Sequence, residues 1–137
     1  MAKRFLLAGL LIAGSWGLSA RAQDSWTGAG GNGYWTNENN WFLFTVPAPG
    51  ASIAFDANSI ANLGTTLGAD FAVNGITVVD PAGAVSIASN LLTVGAGGLD
   101  LSVALQNLTI SSPLVLDAAQ DWSVATGRTL AINTGVL

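Results

Sequence analysis

Between residues 74 and 110 the chain reads Asn74-Gly75-Ile76-Thr77-Val78, Asp80-Pro81-Ala82-Gly83, Val85-Ser86-Ile87, Asn90-Leu91-Leu92-Thr93-Val94, Gly95-Ala96-Gly97-Gly98, Leu99-Asp100-Leu101 and Asn107-Leu108-Thr109-Ile110. Apolar residues alternate with small or polar ones for a few positions, and then Gly, Pro, Asn or Asp breaks the run. Alternation at period 2 is the mark of a half-buried strand, because successive side chains leave a strand on opposite faces. Working outward, Ile53 and Phe55 come before this stretch, Leu114 and Leu116, Trp122 and Val124, and Leu130 and Ile132 come after it, and Val103 extends the Leu99–Leu101 pair. Helical spacing is not sustained anywhere in this region. Lys, Glu and Arg, the usual cover of exposed helix faces, are nearly absent. The chain is predicted to be all-β.

The midpoints of these apolar pairs fall near residues 77, 86, 93, 101, 109, 115, 123 and 131, a mean step of about 7.7 residues. Short strands joined by short corners suit a right-handed parallel β-helix or related solenoid, with two or three corners in each coil. A β-sandwich, which steps at roughly 8–12 residues, is the alternative. The segments beginning at Asn74, Asn90 and Asn107 recur 16 and 17 residues apart. Two readings fit them: the Asn side chains stack along a solenoid corner, or each Asn only forms the turn before its strand.

Composition then excludes whole classes of function. The length of 137 residues allows one domain. Four Lys and Arg against eight Asp and Glu leave no basic surface for phosphates, so nucleic acid is excluded as a partner and anionic membranes are disfavoured. Having no Cys removes disulfides, thiol catalysis and Cys-based zinc sites, and having no His removes the usual general base and the commonest metal ligand. Asp100, Asp117 and Asp121 invite comparison with the paired acids of solenoid polysaccharide hydrolases and with calcium turns. Lyase chemistry needs cations beside its base, and beyond residue 22 the chain has only Arg128. All eight carboxylates are explained as solvated turn acids. No catalytic residue, metal site or cofactor is expected.

The N-terminus has the layout of an export signal. Lys3 and Arg4 precede the apolar run Phe5 to Gly14, and the small-residue pattern Ala20-Arg21-Ala22 follows, which places cleavage after Ala22. The run is shorter than the ~20 apolar residues of a spanning helix. Cleavage leaves a strongly acidic product, with a net charge of about −7. Residues 23–50, rich in Gly, Asn and Trp, form a cap or lead-in, and residues 51–137 form the solenoid segment. The last residues, Thr129 to Leu137, begin another strand pair and stop, so a fragment truncated at its C-terminus is expected.

Trp26, Trp35 and Trp41 form a W-x8-W-x5-W pattern in the lead-in. The indoles either close the end of the solenoid or its first coil, or they form a flat platform for a sugar ring, with Asn40 and its neighbours Asn32, Asn37 and Glu38 bonding hydroxyls. With Gly30 to Gly33, Asn40-Trp41, Pro47 and Ala54-Phe55, this segment resembles the N-terminal region of the autotransporter-associated β-strand repeat proteins. Asn74-Gly75-Ile76-Thr77, Leu92-Thr93-Val94-Gly95, Gly98-Leu99 and Thr129-Leu130-Ala131-Ile132 extend the resemblance over most of the remaining chain. It implies a non-catalytic structural or adhesive passenger segment of a larger bacterial protein, exported to the outer cell surface or beyond. Extracellular glycans or other surface proteins are the implied partners, and a membrane would be met only through a missing C-terminal region. The alternative is a carbohydrate-binding β-sandwich using Trp26, Trp35 and Trp41.

Overall fold

Ten short strands carry the alternating residues of the described part of the chain: β1 (Asp24–Ser25), β2 (Ala51–Phe55), β3 (Gly64–Thr66), β4 (Phe71–Val78), β5 (Val85–Ala88), β6 (Leu92–Leu101), β7 (Leu108–Ile110), β8 (Leu114–Leu116), β9 (Trp122–Val124) and β10 (Leu130–Ile132). The structure, a computed structural model, describes residues 23–137. The expected signal segment, residues 1–22, lies outside the described residues.

Every pairing between these strands is parallel. One sheet runs β1-β2-β4-β6, after which the first part of β6 pairs with β8 and its last part with β9. The other runs β3-β5-β7-β10. A register shift between Val73 and Gly75 divides the β4–β6 pairing into two runs. A coil is therefore three short runs, such as the two parts of β6 followed by β7, and the next coil, β8, β9 and β10, lies directly against it. The fold is a parallel β-solenoid of about 4 turns. A sandwich pairs its strands in antiparallel fashion, so that alternative does not describe this chain.

Stacking brings like residues together. Ile53, Ile76, Leu99 and Trp122 form one inward ladder. Phe71, Leu92 and Leu114 form a second, and Thr65, Ile87, Ile110 and Ile132 a third. The middle rungs are fully buried, and each apolar one stabilises the fold by roughly 1.5–3 kcal/mol relative to exposure. The period of the stack is read from bonds between residues 21, 22 and 23 apart, such as Thr65 to Ser86, Asn107 to Thr129 and Ser112 to Ser89. Three steps of the mean spacing seen in the sequence make one such coil.

Corners bring backbones close enough to require glycine at two points. Gly75 and Gly98 are partners in adjacent coils. A Cβ on Gly75 would lie 2.7 Å from the Gly97 carbonyl carbon. Gly98 has φ +62°, and a Cβ there would overlap the carbonyl oxygen of Asp121 in the following coil.

One of the two readings of the Asn-led segments, and one expectation, need correction. Asn74, Asn90 and Asn107 do not stack, because an offset of 16 or 17 residues is shorter than a coil and leads to a different corner. Asn74 donates to the Ser52 hydroxyl, Asn90 sits at positive φ in a turn, and Asn107 accepts from the Thr129 N–H. Val103 does not extend the Leu99–Leu101 rung either, since β6 ends at Leu101 and a turn bond from Ala104 to Leu101 leaves the Val103 side chain in solvent.

Candidate functional site

The Trp-rich lead-in forms most of the first coil. That coil, from Ser25 to its partner Ala54, is longer than those that follow. Its interior is filled with rings. Trp26 meets Trp41 edge to face with centroids 5.1 Å apart, Trp41 meets Trp35 at 5.4 Å, and Trp35 meets Phe71 at 5.3 Å. Phe55 lies against Trp26 and Trp35. Such pairs contribute ~0.5–1.5 kcal/mol beyond the area they bury.

Each indole N–H has a partner inside this coil or the next. Trp26 Nε1 donates to the Ala61 carbonyl at 3.2 Å, Trp41 Nε1 to the Trp35 carbonyl at 2.8 Å, and Trp35 Nε1 to Thr65 Oγ1 at 3.0 Å. Asn40 follows the same logic at the end of a single 3-10 turn, Glu38–Asn40, that Asn37 caps. Its Nδ2 donates to the carbonyls of Asn32 and Tyr34, its Oδ1 accepts from the Gly30 N–H, and its own carbonyl accepts from the N–H of Thr27. One residue, through its side chain and its carbonyl, thus ties the Gly-rich turn, the Tyr34 bridge and the Thr27 backbone together.

The sugar platform suggested by the sequence is therefore corrected by burial. Trp26 and Trp35 are 0% exposed, Trp41 is 1% exposed and Asn40 is 0% exposed, so no ring face is open to a ligand. The indoles are covered by one another, by Phe55 and by Phe71, as a core that must be closed where the ladders begin requires.

What this core holds outward is a different group of residues. Directly after Trp41, the side chains of Phe42, Leu43 and Phe44 stand 55%, 68% and 67% exposed. Their backbone is nevertheless tied down: Phe42 N–H donates to the Ser25 carbonyl and Phe44 N–H to the Trp41 carbonyl, both at 3.0 Å. Phe44 sits at φ +53°, a left-handed conformation that bulky residues seldom adopt. A groove of about 560 Å³ is lined by Phe42, Phe44, Ile60, Asn39 and Asn58, with Trp41 behind them. On the other side of Phe42 a smaller groove of about 350 Å³ is bordered by Asp24, Asp56 and Leu43. Phe42-Leu43-Phe44 is absent from the residues expected to act. Its signal is an unbroken apolar run inside a Gly- and Asn-rich segment, which cannot all face one core.

The carboxylates are dispersed. Asp56 accepts from the Ser25 hydroxyl and from the N–H of Asn58, and Asp70 from the Leu91 N–H. The hydroxyl and the N–H of Ser102 both point to Asp100 and hold its carboxyl below the usual carboxylate range. Asp117 and Asp121 lie in the exposed link between β8 and β9. Among the described residues no three His, Cys, Asp or Glu side chains gather as a metal site. Comparison of the chain with protein-family models, with curated proteins and with solved structures finds no match.

Proposed function

We propose that this chain is an exported, non-catalytic β-solenoid segment with a structural and adhesive role at a bacterial cell surface, carried in the manner of an autotransporter passenger. The observation that carries the reading is the stack itself. Parallel coils held by apolar ladders make a stiff support that extends in one direction, and the described side chains leave no buried polar atom without a partner. Such a body suits holding a binding surface away from its anchor. Most outward residues of its runs are small or hydroxylic, as at Thr77, Thr93 and Thr109, with Asp100 and Val115 as exceptions, which favours an inert flank over a reactive cleft.

The resemblance of the Trp-rich lead-in to autotransporter-associated repeat proteins supports export, as does the charged, apolar and small-residue order of residues 1–22. The test is the N-terminal sequence of the protein recovered from its native host, together with protease digestion of intact cells. The expected outcome is a chain that starts at Gln23 and is degraded from outside. A protein that retains Met1 to Ala22 and survives digestion until the cells are lysed overturns the proposal.

A further inference from the structure

We infer that the groove beside Phe42 and Phe44 is a binding site for a neutral carbohydrate. This deepens the adhesive part of the reading above and rests on it, since it names what would be held. Its volume of about 560 Å³ lies within the range of small-molecule sites.

The lining selects the ligand class. Phe42, Phe44 and Ile60 supply exposed apolar walls, and Phe rings can lie against the C–H face of a sugar. Asn39 and Asn58 supply amides: Asn39 Nδ2 donates to Asn37 Oδ1 and Asn58 Nδ2 to Asp56 Oδ1, while their own Oδ1 atoms accept no hydrogen bond from the described residues. No ionisable side chain lines this groove, unlike its neighbour with Asp24 and Asp56. An anionic ligand would find no counter-charge here, and the nearby Asp56 carboxylate is already bonded by Ser25 and Asn58. A wholly apolar ligand would cover the two amides without satisfying them. A ring with apolar faces and hydroxyl edges meets both demands.

The walls are also fixed before any ligand arrives. Phe42 and Phe44 are tied by backbone bonds to Ser25 and to the buried Trp41, so binding does not have to order the loop. The site differs from the buried indoles, whose part is to hold this loop from beneath.

The test is titration of the isotopically labelled chain with cellohexaose, xylohexaose, mannohexaose, maltohexaose and chitohexaose, read by nuclear magnetic resonance. At least one sugar is expected to shift the side-chain amides of Asn39 and Asn58 and the rings of Phe42 and Phe44. The double variant Phe42→Ala, Phe44→Ala is expected to weaken that binding at least about tenfold while leaving the unfolding midpoint in place. Should that variant unfold, Asn58→Ala gives the second reading, with a smaller loss of affinity expected. The inference is overturned by the absence of any shift at roughly 10 mM sugar, by shifts confined to another surface, or by unchanged affinity in the folded variants. It is also overturned if sedimentation shows a dimer that the Phe substitutions dissociate, because a second copy would then fill the groove. Because the titration uses purified protein, a chain that binds sugar but is found inside the cell keeps this site and loses the surface role. A surface chain with no sugar shift does the reverse.

Discussion

Asn40 shows how much one polar residue can hold when every one of its groups is used. Its side chain, itself fully buried, serves the part-buried Gly30 N–H and carbonyls of Asn32 and Tyr34. Asn40→Ala removes all three bonds, and the loss expected is about 2 kcal/mol, read as a lower denaturant midpoint in chemical unfolding. Trp35 separates packing from hydrogen bonding. Trp35→Ala removes a ring that touches Trp41, Phe55 and Phe71 and is expected to cost ~3–5 kcal/mol, whereas Trp35→Phe keeps most of the packing and loses the bond to Thr65, for about 1 kcal/mol. Asp100 carries a pH dependence of known sign. The Ser102 hydroxyl and N–H lower its folded-state pKa, so its contribution is present above the ordinary carboxylate pKa and is lost as pH falls through the lowered one. Acid unfolding of Asp100→Asn should therefore be flatter than that of the parent below about pH 4, by a small margin because the group is largely solvated. The three Trp residues were legible as a set from their spacing, and closure of the first coil was one of the two readings they allowed, but the spacing alone did not choose it over the open platform. Which way an indole faces depends on the coil that closes over it, and nothing in residues 26–41 states that closure. Phe42 was hidden for the converse reason: an apolar residue beside a core residue reads as core until the backbone is seen to turn at Phe44.

A strand in this fold is stabilised by the coils on either side, so the same substitution has different effects along one ladder. Leu99 has Ile76 before it and Trp122 after it and is fully buried. Leu99→Ala is expected to cost ~2–5 kcal/mol, while Val124→Ala, in β9 at the exposed end, should cost less than about 1 kcal/mol. Comparing the two by urea unfolding tests whether stacking, and not strand propensity, supplies the stability. Gly98→Ala tests the corner between them. It places a methyl group against the Asp121 carbonyl at φ +62°, and the expected loss of at least about 2 kcal/mol should be accompanied by earlier hydrogen exchange in β9. At this scale the sequence was informative, since every apolar pair named from alternation lies in a strand. The coil length was obscured because one coil holds three runs of unequal spacing. Asn74, Asn90 and Asn107 repeat at an interval that belongs to no single side, whereas Ile76, Leu99 and Trp122, which do stack, share little beyond being apolar.

The two ends of the described solenoid differ, and that difference sets how residues 23–137 should behave on their own. At one end the ladders stop against three buried indoles. At the other, Trp122 and Val124 are 38% and 44% exposed, and Leu116 and Val136 are also open to solvent. Among the described residues β9 and β10 are each paired on one side only, while Val136 bridges Leu114 of β8 and the Leu137 N–H donates to the Leu114 carbonyl. Hydrogen exchange should then be graded, slowest in β2, β4 and β6 and fastest in β9 and β10, because opening the last coil exposes little that is still buried. A parallel edge with apolar rungs is also a template for another chain. Residues 23–137 prepared alone are expected to associate as their concentration rises, through this end and not through the Trp-filled one. Trp122→Lys places a charge on that rung without touching the first coil. Sedimentation should show it monomeric at concentrations where the parent associates, with both proteins retaining the same near-ultraviolet signal from Trp26, Trp35 and Trp41. If Trp122→Lys associates as strongly as the parent while Phe42→Ala does not, the adhesive contact between copies lies at the lead-in loop, and the open coil is inert.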